Sequence, residues 1–257
     1  MDQLWPNDVP VDLADDRQLA TLYAYPEPLE RPWVKVNFIS SADGAASVGG
    51  RSGGLSDAND RRIFRLGRSL SDVILVGAGT AAAERYRGVR RPELLTDLRD
   101  SLGLAALPPI AVVSRRASVD PTSPLVTDTQ VAPILFTTAA ADPRHREALV
   151  AAGVDVVLTG TDDVDLARVL AALDERGLRR VCCEGGPTLF GDLIAADLVD
   201  ELCLSVAPLL AGGDAGRIAH GPVPDKPVPL RLASVLRGGE LLMLRYLRAT
   251  EHTTENG

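Results

Sequence analysis

The chain has 257 residues, of which 46% are hydrophobic, and its formal net charge is −8. This charge argues against nucleic acid or an anionic membrane surface as the main partner, because both would repel an acidic protein. No apolar run approaches the length of a membrane span, the N-terminus has no signal-peptide pattern, and the scattered cysteines and histidines lack metal-ligand spacing. We therefore expect a cytoplasmic globular protein without a metal site.

An N-terminal arm precedes the first strand. Residues 1–31 are acidic and rich in proline, with a short helical pattern around Leu13–Tyr23, and we expect them to pack on the domain or on a partner subunit. Trp33–Ser41 is rich in β-branched residues and is bounded by a proline and an Asp-Gly pair, which predicts a strand. The run from Asp43 to Gly54 is rich in glycine, alanine and serine. It predicts a mobile loop, which either covers a bound ligand or is a plain surface loop.

A helix that bears arginines is predicted next. Ser56 is the expected N-cap of a helix over Asp57–Leu70, which has acidic residues in its first turn. At about 100° per residue, apolar side chains fall on one side of this helix, and Arg61, Arg65 and Arg68 fall on the other. Such a face is either solvated or, at its end, supplies a cation to a substrate phosphate.

Two units of the chain combine a buried strand, a glycine turn and a helix. The first is Asp72–Gly77, which runs into a turn that carries Thr80. The second is Arg180–Cys183, followed by Glu184, two glycines and a helix that starts at Pro187. Free N–H groups and the helix dipole favour anions, so each turn is a candidate phosphate site. Neither has a standard nucleotide-binding spacing, and the alternative is an ordinary strand-to-helix turn.

The remaining elements indicate the fold class. We predict strands over Pro109–Ser114, Ala132–Thr137, Val154–Leu158 and Asp200–Ala207, and helices over Leu94–Leu102, Pro143–Ala152, Val164–Glu175 and Pro187–Ala196. Ser114 and the two arginines after it would suit the 2′-phosphate of NADP, or they form a basic loop. The alternation of strand and helix predicts an α/β fold with a mixed, mostly parallel sheet and helices on both faces. Leu230–Arg248 predicts a C-terminal antiparallel hairpin.

Four short motifs stand in a specific order along the chain. They are Ser41-Ala-Asp43-Gly44, Leu55-Ser56, Val76-Gly-Ala-Gly-Thr80 and Glu184-Gly-Gly-Pro-Thr-Leu189. In this order and spacing they resemble the pyrimidine reductase family of riboflavin biosynthesis, which has a dihydrofolate-reductase-like fold. The resemblance covers roughly Pro32 to Arg248. It implies a reductase domain over residues 32–249, between the N-terminal arm and a frayed tail at 250–257.

The resemblance also implies a site, residue by residue. Glu184 would contact the substrate near the reacting centre and serve as an acid, and Asp43 would sit at the mouth of the same pocket. Arg68 would face the substrate phosphate, with Asn37 and Ser56 also on the substrate side. The residues implied for the cofactor are Gly77, Thr80, Glu84, Leu158, Gly185, Gly186, Pro187, Thr188 and Leu189. Ser114 is added to them because of its position at the C-terminal end of a strand.

The reaction that the resemblance implies is an NADPH-dependent reduction. Its substrate is 5-amino-6-(5-phosphoribosylamino)uracil, and hydride delivered to C1′ opens the ribose to a ribityl chain. Two alternatives remain open at this stage. One is a dihydrofolate-reductase-like activity on a pterin, and the other is a protein that binds the cofactor without turnover.

Three features depart from the family's bifunctional bacterial members. The chain shows no zinc deaminase pattern, so another chain would carry out the deamination. Asn37 stands where those members usually have a lysine, and in this it looks more like the stand-alone reductases. The N-terminal arm has no counterpart in the family pattern. The resemblance further implies a homodimer, with the hairpin at Leu230–Arg248 as a candidate contact.

Overall fold

A computed structural model describes residues 1–6 and 15–249 of the chain. Within these residues, no helix is both long enough and apolar enough to cross a membrane. The predicted frayed tail and Leu13, the first residue of the predicted N-terminal helical pattern, lie outside the described residues.

The described residues form ten strands and eight α-helices. The strands are β1 (Asp2–Trp5), β2 (Trp33–Ser41), β3 (Val73–Gly77), β4 (Ile110–Val113), β5 (Ile134–Thr137), β6 (Asp155–Leu158), β7 (Arg180–Cys183), β8 (Glu201–Ala207), β9 (Leu230–Gly238) and β10 (Leu241–Arg248). The helices are α1 (Asp16–Leu22), α2 (Ala58–Leu70), α3 (Ala78–Ala83), α4 (Thr96–Ser101), α5 (Pro124–Thr127), α6 (Pro143–Ala151), α7 (Leu166–Asp174) and α8 (Pro187–Ala195).

All ten strands join one sheet in the order β1-β9-β10-β8-β2-β7-β3-β4-β5-β6. From β8 to β6 every neighbouring pair is parallel, whereas β8, β10, β9 and β1 pair antiparallel. The sheet is therefore mixed and mostly parallel, with the predicted hairpin (β9 and β10) in its antiparallel part. β2 lies in the interior, between β7 and β8.

Helices cover both faces of the sheet because successive strand residues point to opposite sides. In β3, Val73 and Leu75 join a core cluster with α7 and α8. Ile74 and Val76 join a second cluster, which includes residues of α3, α5 and α6. A third cluster lies beneath α1 and α2. The predicted layering of the fold is confirmed.

A buried ion cluster joins β2 to the antiparallel strands. The ammonium of Lys35 lies 3.3 Å from the carboxylate of Glu201, and both side chains are almost fully buried. Arg245 donates to the same carboxylate at 2.6 Å, and Lys35 also donates to the carbonyl of Tyr23. Burial raises the pKa of Glu201, but the charge of Lys35 and the hydrogen bond from Arg245 outweigh it and leave that pKa below its usual value.

Several predicted boundaries need correction. Ser56 is not the N-cap of α2: the carboxylate of Asp57 accepts from the backbone N–H groups of Asn59 (2.8 Å) and Asp60 (2.9 Å), and the helix begins at Ala58. Asp57 is the N-cap because its carboxylate accepts from two N–H groups of the first turn that have no partner within the helix. The predicted helix over Leu94–Leu102 is shorter than expected, and β1 and α5 were not predicted.

Candidate active site

A cleft of about 860 Å³ opens at the carboxyl ends of β2, β3 and β7. Ligand sites in parallel sheets lie outside these strand ends, because the loops that follow the strands converge there. The residues that follow β3 and β7 line one part of the cleft, and one side of α2 lines another. The loop before α2 and the loop after β8 complete the lining.

The turn after β7 brings backbone close to this cleft. Gly185 has φ +81°, and a Cβ there would lie 2.5 Å from the ring of Phe38. A Cβ on Gly186 would lie 2.1 Å from the hydroxyl of Thr80. The N–H of Gly77 donates to the carbonyl of Gly185 at 2.7 Å, which ties the two predicted glycine turns together. Only glycine fits at positions 185 and 186 without a local shift. The absence of both side chains leaves the backbone of the turn next to the cleft.

Glu184 forms a buried ionic cluster at the end of β7. Its side chain is 2% exposed, and both oxygens accept from Arg68, at 2.6 Å from Nε and 2.7 Å from Nη2. The hydroxyl of Tyr86 donates to the same carboxylate at 2.5 Å. Burial lowers the pKa of the Arg68 guanidinium, but the charge and hydrogen bonds of Glu184 outweigh it and raise that pKa. Burial also raises the pKa of the Tyr86 hydroxyl, so Tyr86 stays protonated and donates.

This geometry changes the roles expected for two residues. The sequence predicts Arg68 as a cation for the substrate phosphate, but two of its three guanidinium nitrogens already bind Glu184. It predicts Glu184 as an acid, but both carboxylate oxygens are engaged as acceptors. Both residues line the cleft, as expected, and they do so as one paired unit. A pairing across this sequence distance has no local sequence signal.

Glu84 connects the loop before α2 to the segment after α3. Its carboxylate accepts from the backbone N–H of Ser52 at 3.1 Å and from the Ser52 hydroxyl at 3.0 Å. Both residues line the cleft. The predicted mobile loop is therefore attached, at its far end, to the segment that carries the expected cofactor residues.

Asp43 is not among the residues that line the cleft. Its carboxylate accepts from the Ser41 hydroxyl and from the backbone N–H groups of Ala211 and Gly212. These hydrogen bonds, from Ser41 first and then from Gly212 and Ala211, lower the pKa of Asp43 to about 2. The structure places Asp43 as a link between the loops that follow β2 and β8, and not at the mouth of the cleft as predicted.

Eight of the fifteen predicted site residues line the cleft: Asn37, Ser56, Arg68, Thr80, Glu84, Glu184, Gly186 and Pro187. Besides Asp43, six others do not: Gly77, Ser114, Leu158, Gly185, Thr188 and Leu189. Gly77 and Gly185 are joined to each other by a backbone hydrogen bond beside the cleft, and Leu189 packs in the core. The Ser114 hydroxyl is buried and accepts from the N–H of Ser118, while Leu158 is exposed at the end of the edge strand β6.

Several lining residues were not identified as site residues from the sequence. Tyr86 lies in a stretch without periodicity, and nothing local indicates that its hydroxyl reaches Glu184. Asp60 is one of the acidic residues that the sequence predicts in the first turn of α2, and no role in a site was predicted for it. Its spacing of four and eight residues from Phe64 and Arg68 is a signal that it shares their side of α2.

Arginines give the cleft a cationic lining although the chain is acidic. Among the described residues, six arginines line it: Arg61, Arg65, Arg68, Arg85, Arg87 and Arg217. Arg65 donates to the carbonyl of Leu94 at 2.8 Å, and Arg87 pairs with Glu93. Within residues 1–6 and 15–249, the side chains of Arg61, Arg85 and Arg217 form no hydrogen bond or ion pair. These three are available to an anionic ligand.

Residues 32–244 match the model of the RibD C-terminal domain family. The chain belongs to this family. It is 33% identical over 193 residues to the 2,5-diamino-6-ribosylamino-4(3H)-pyrimidinone 5′-phosphate reductase of Archaeoglobus fulgidus, which covers 74% of this chain and 87% of that protein. The crystal structure of a pyrimidine reductase-like protein from Corynebacterium diphtheriae superposes with a TM-score of 0.75 at 25% identity, over 86% of this chain and 93% of that one.

A more distant protein shares the fold of this RibD-family chain. Dihydrofolate reductase from Enterococcus faecalis superposes with a TM-score of 0.50 at 13% identity, over 85% of this chain and 97% of that one. At this identity the likeness concerns the fold alone. The family, the dihydrofolate-reductase-like fold and the reductase class predicted from the sequence are confirmed.

Proposed function

We propose that this RibD-family reductase uses NADPH to reduce the ribose of a phosphoribosylaminopyrimidine at C1′. The observation that carries the proposal is one cleft in which the glycine turn after β7, facing the Thr80 hydroxyl on α3, meets a cationic lining. A nicotinamide cofactor and a phosphorylated substrate need these two surfaces side by side. The name of the Archaeoglobus relative supports the substrate class.

The residues around the turn after β7 fit the cofactor. The Thr80 hydroxyl has no hydrogen-bond partner among the described residues, and it lies where a Cβ on Gly186 would fill the space. The nine-residue helix α8 starts next to it at Pro187, and the N–H groups of Thr188 and Leu189 belong to its first turn. When bound, NADPH supplies the hydride that C1′ of the ribose accepts. The protein residues hold the reacting groups in line and keep water away.

The preference for NADPH over NADH is assigned to the end of β4. The buried Ser114 hydroxyl shapes this turn, because it accepts from the N–H of Ser118. Arg116 is exposed and has no partner within the described residues, whereas Arg115 pairs with Asp163 at 3.2 Å. We assign the 2′-phosphate to Arg116. Replacing it by alanine should raise KM for NADPH and leave KM for NADH unchanged, and equal effects on both cofactors would contradict the assignment.

On the substrate side, the paired Glu184 and Arg68 act by position. Glu184 holds the side chains of Arg68 and Tyr86 at the cleft wall. The Arg68 nitrogen that does not bind Glu184 therefore meets the substrate in a fixed position. Asn37, in β2, contributes the neutral amide of its side chain to the same cleft. No described residue forms a hydrogen bond with this side-chain amide. We assign the substrate phosphate to Arg85 and Arg217, two lining arginines whose side chains have no partner among the described residues.

The test is a direct assay with purified protein. We expect the NADPH absorbance to fall on addition of either the diaminopyrimidinone named for the relative or the uracil predicted from the sequence. The two share the phosphoribosylamino group and differ at C2 of the ring. Dihydrofolate is the comparison substrate, and a larger kcat/KM for dihydrofolate would overturn the proposal. Tight NADPH binding without turnover of any of the three would favour a binding protein.

We also propose a homodimer that uses the antiparallel end of the sheet. The backbone of β9 is already paired on both sides, by β1 and β10, so a contact there must use side chains. Leu4, Trp5, Leu230 and Leu232 are exposed apolar residues of β1 and β9. Light scattering should give twice the chain mass of 27.2 kDa. Trp5→Glu should shift the mass towards the monomer, whereas Val150→Glu on α6 should not.

A further inference from the structure

Asp60 is the one carboxylate of the cleft without a partner in the part of the chain that the structure describes. It lies in the first turn of α2, lines the cleft, and is 8% exposed. Its backbone N–H donates to Asp57, but its carboxylate accepts no hydrogen bond and joins no ion pair with a described residue. The other carboxylates that line the cleft are engaged: Glu84 by Ser52, Glu93 by Arg87, and Glu184 by Arg68 and Tyr86.

Neither oxygen of Asp60 is a fully buried atom without a partner, so water in the open cleft reaches the carboxylate. A ligand that displaces this water must supply donors in its place, because an unpaired carboxylate away from water is unfavourable. Acidic residues of a first helical turn commonly interact with the helix dipole from solvent. That role would not place the side chain of Asp60 against the cleft. The carboxylate is therefore complementary to a ligand with N–H groups, and best to two adjacent N–H groups in one plane.

The position of Asp60 fits the ring of the proposed substrate. Asp60, Phe64 and Arg68 are four residues apart on α2, and all three line the cleft. Four residues rise about 6 Å along a helix, so Asp60 lies about 12 Å along the axis from Arg68. A substrate with its ring at Asp60 then extends alongside α2, with its ribose towards the Arg68–Glu184 pair and the glycine turn.

The two candidate pyrimidines differ at the edge that a carboxylate would bind. The substrate in the name of the Archaeoglobus relative, 2,5-diamino-6-ribosylamino-4(3H)-pyrimidinone 5′-phosphate, has an amino group at C2 beside a protonated N3. These two N–H donors match the two oxygens of a carboxylate. In the uracil, a carbonyl oxygen replaces the amino group, and its lone pairs face the carboxylate.

We propose that Asp60 is a specificity-determining residue that binds the C2-amino and N3–H edge of the pyrimidine and so selects the diamino substrate over the uracil. The proposal rests on the proposed function, and it names the ring that this cleft prefers. Losing a charge-assisted hydrogen bond and placing a lone pair against the carboxylate predicts a preference of about 100-fold in kcat/KM.

The test compares both pyrimidines with the wild-type enzyme and Asp60→Asn. An amide accepts from N3–H and donates to the C2 carbonyl, so it is complementary to the uracil edge and not to the diamino edge. We expect Asp60→Asn to lower kcat/KM for the diaminopyrimidinone about 100-fold and to leave the value for the uracil equal or higher. Asp57→Asn, at the N-cap of the same helix, is the matched control and should leave the ratio of the two substrates unchanged.

Calorimetric binding of both pyrimidines to the cofactor-free protein separates this proposal from the proposed function. Tighter binding of the diaminopyrimidinone, lost in Asp60→Asn, supports the role of Asp60 even if no substrate is turned over. Equal affinities in the wild-type protein would overturn it. An equal loss for both substrates in Asp60→Asn would also overturn it, because this is the result of a purely structural role.

Discussion

At the scale of single residues, the turn after β7 depends on the absence of two side chains. Gly185 has a positive φ and lies against the Phe38 ring, which itself stacks on Phe190 with ring centroids 5.2 Å apart. The ring therefore has little room to move. Gly185 and Gly186 therefore allow close packing and also bring the backbone of the turn next to the cleft.

Replacing Gly185 by alanine should destabilise the fold and weaken the binding of NADPH. The new methyl group would meet the Phe38 ring at 2.5 Å at a φ of +81°, and a loss of about 1–3 kcal/mol is expected for such a site. Urea unfolding and a fluorescence titration with NADPH would measure the two effects. Gly79→Ala in α3 is the control, because no heavy atom lies within 4 Å of its Cβ position; equal stability of the two variants would contradict the prediction.

Glu184→Gln should lower kcat/KM about 10-fold to 100-fold, because it removes a charge-assisted pair that fixes Arg68 in the cleft wall. Tyr86→Phe removes only the hydroxyl that donates to the same carboxylate. In a double-mutant cycle, Tyr86→Phe should have a smaller effect in the Glu184→Gln background than in the wild-type enzyme. Fully additive effects would mean that Tyr86 acts independently of Glu184.

At the scale of elements, Lys35→Met should destabilise the protein by about 3–5 kcal/mol. The substitution leaves the carboxylate of Glu201 buried with only Arg245 as an ionic partner, and an incompletely paired buried charge is strongly unfavourable. Chemical denaturation followed by circular dichroism measures the effect. Arg237→Met breaks an exposed pair with Asp2 and should be nearly neutral. A similar cost for both variants would show that burial does not decide the outcome.

The link between the loops after β2 and β8 should weaken in acid. The pKa of Asp43 is about 2 in the folded protein and about 3.9 in an unfolded chain. The folded state therefore binds the proton less well, and the carboxylate stabilises the fold above pH ~4 and loses this effect as the pH falls towards ~2. Asp43→Asn should be less stable than wild type at neutral pH, and the difference should shrink at pH ~3. A constant difference would contradict this assignment.

Sequence patterns predict the elements better than they predict the contacts between them. The apolar runs of β3 and β7 and the hairpin of β9 and β10 are found close to their predicted bounds, because burial on both faces and a glycine turn are local signals. β1 was missed because its sequence, Asp-Gln-Leu-Trp, has neither a polar–apolar alternation nor an apolar run. The Arg68–Glu184 pair and the loop contact of Asp43 were missed because each joins segments far apart in the chain.

At the scale of the whole molecule, the N-terminal residues complete the core. Leu19, Tyr23 and Tyr25 are buried against α2, and the Tyr23 carbonyl accepts from Lys35. The family match begins at residue 32, after these residues. The part that lies before the family match is therefore packed into the same core as the part that lies within it.

Removal of residues 1–31 should produce a protein that unfolds at a much lower temperature, or that does not fold cooperatively. It deletes the buried side chains of Leu19, Ala20, Tyr23 and Tyr25 and the carbonyl partner of a buried lysine. Removal of residues 1–6 takes away only β1 and should lower Tm by much less. Thermal melts of the two truncated proteins test this. Equal melting temperatures for both would show that α1 and the segment after it add nothing to the core.

The interior position of β2 also affects when this strand can fold during synthesis. Val34 pairs with Val181, and Lys35 pairs with Glu201, so both neighbours of this strand are synthesised long after it. At ribosomal speeds of ~5–20 residues per second, β2 waits on the order of ten seconds for its partners. During that interval its apolar side chains have no sheet to join. We therefore expect the interior position of β2 to slow the folding of the nascent chain and to expose it to aggregation on the ribosome.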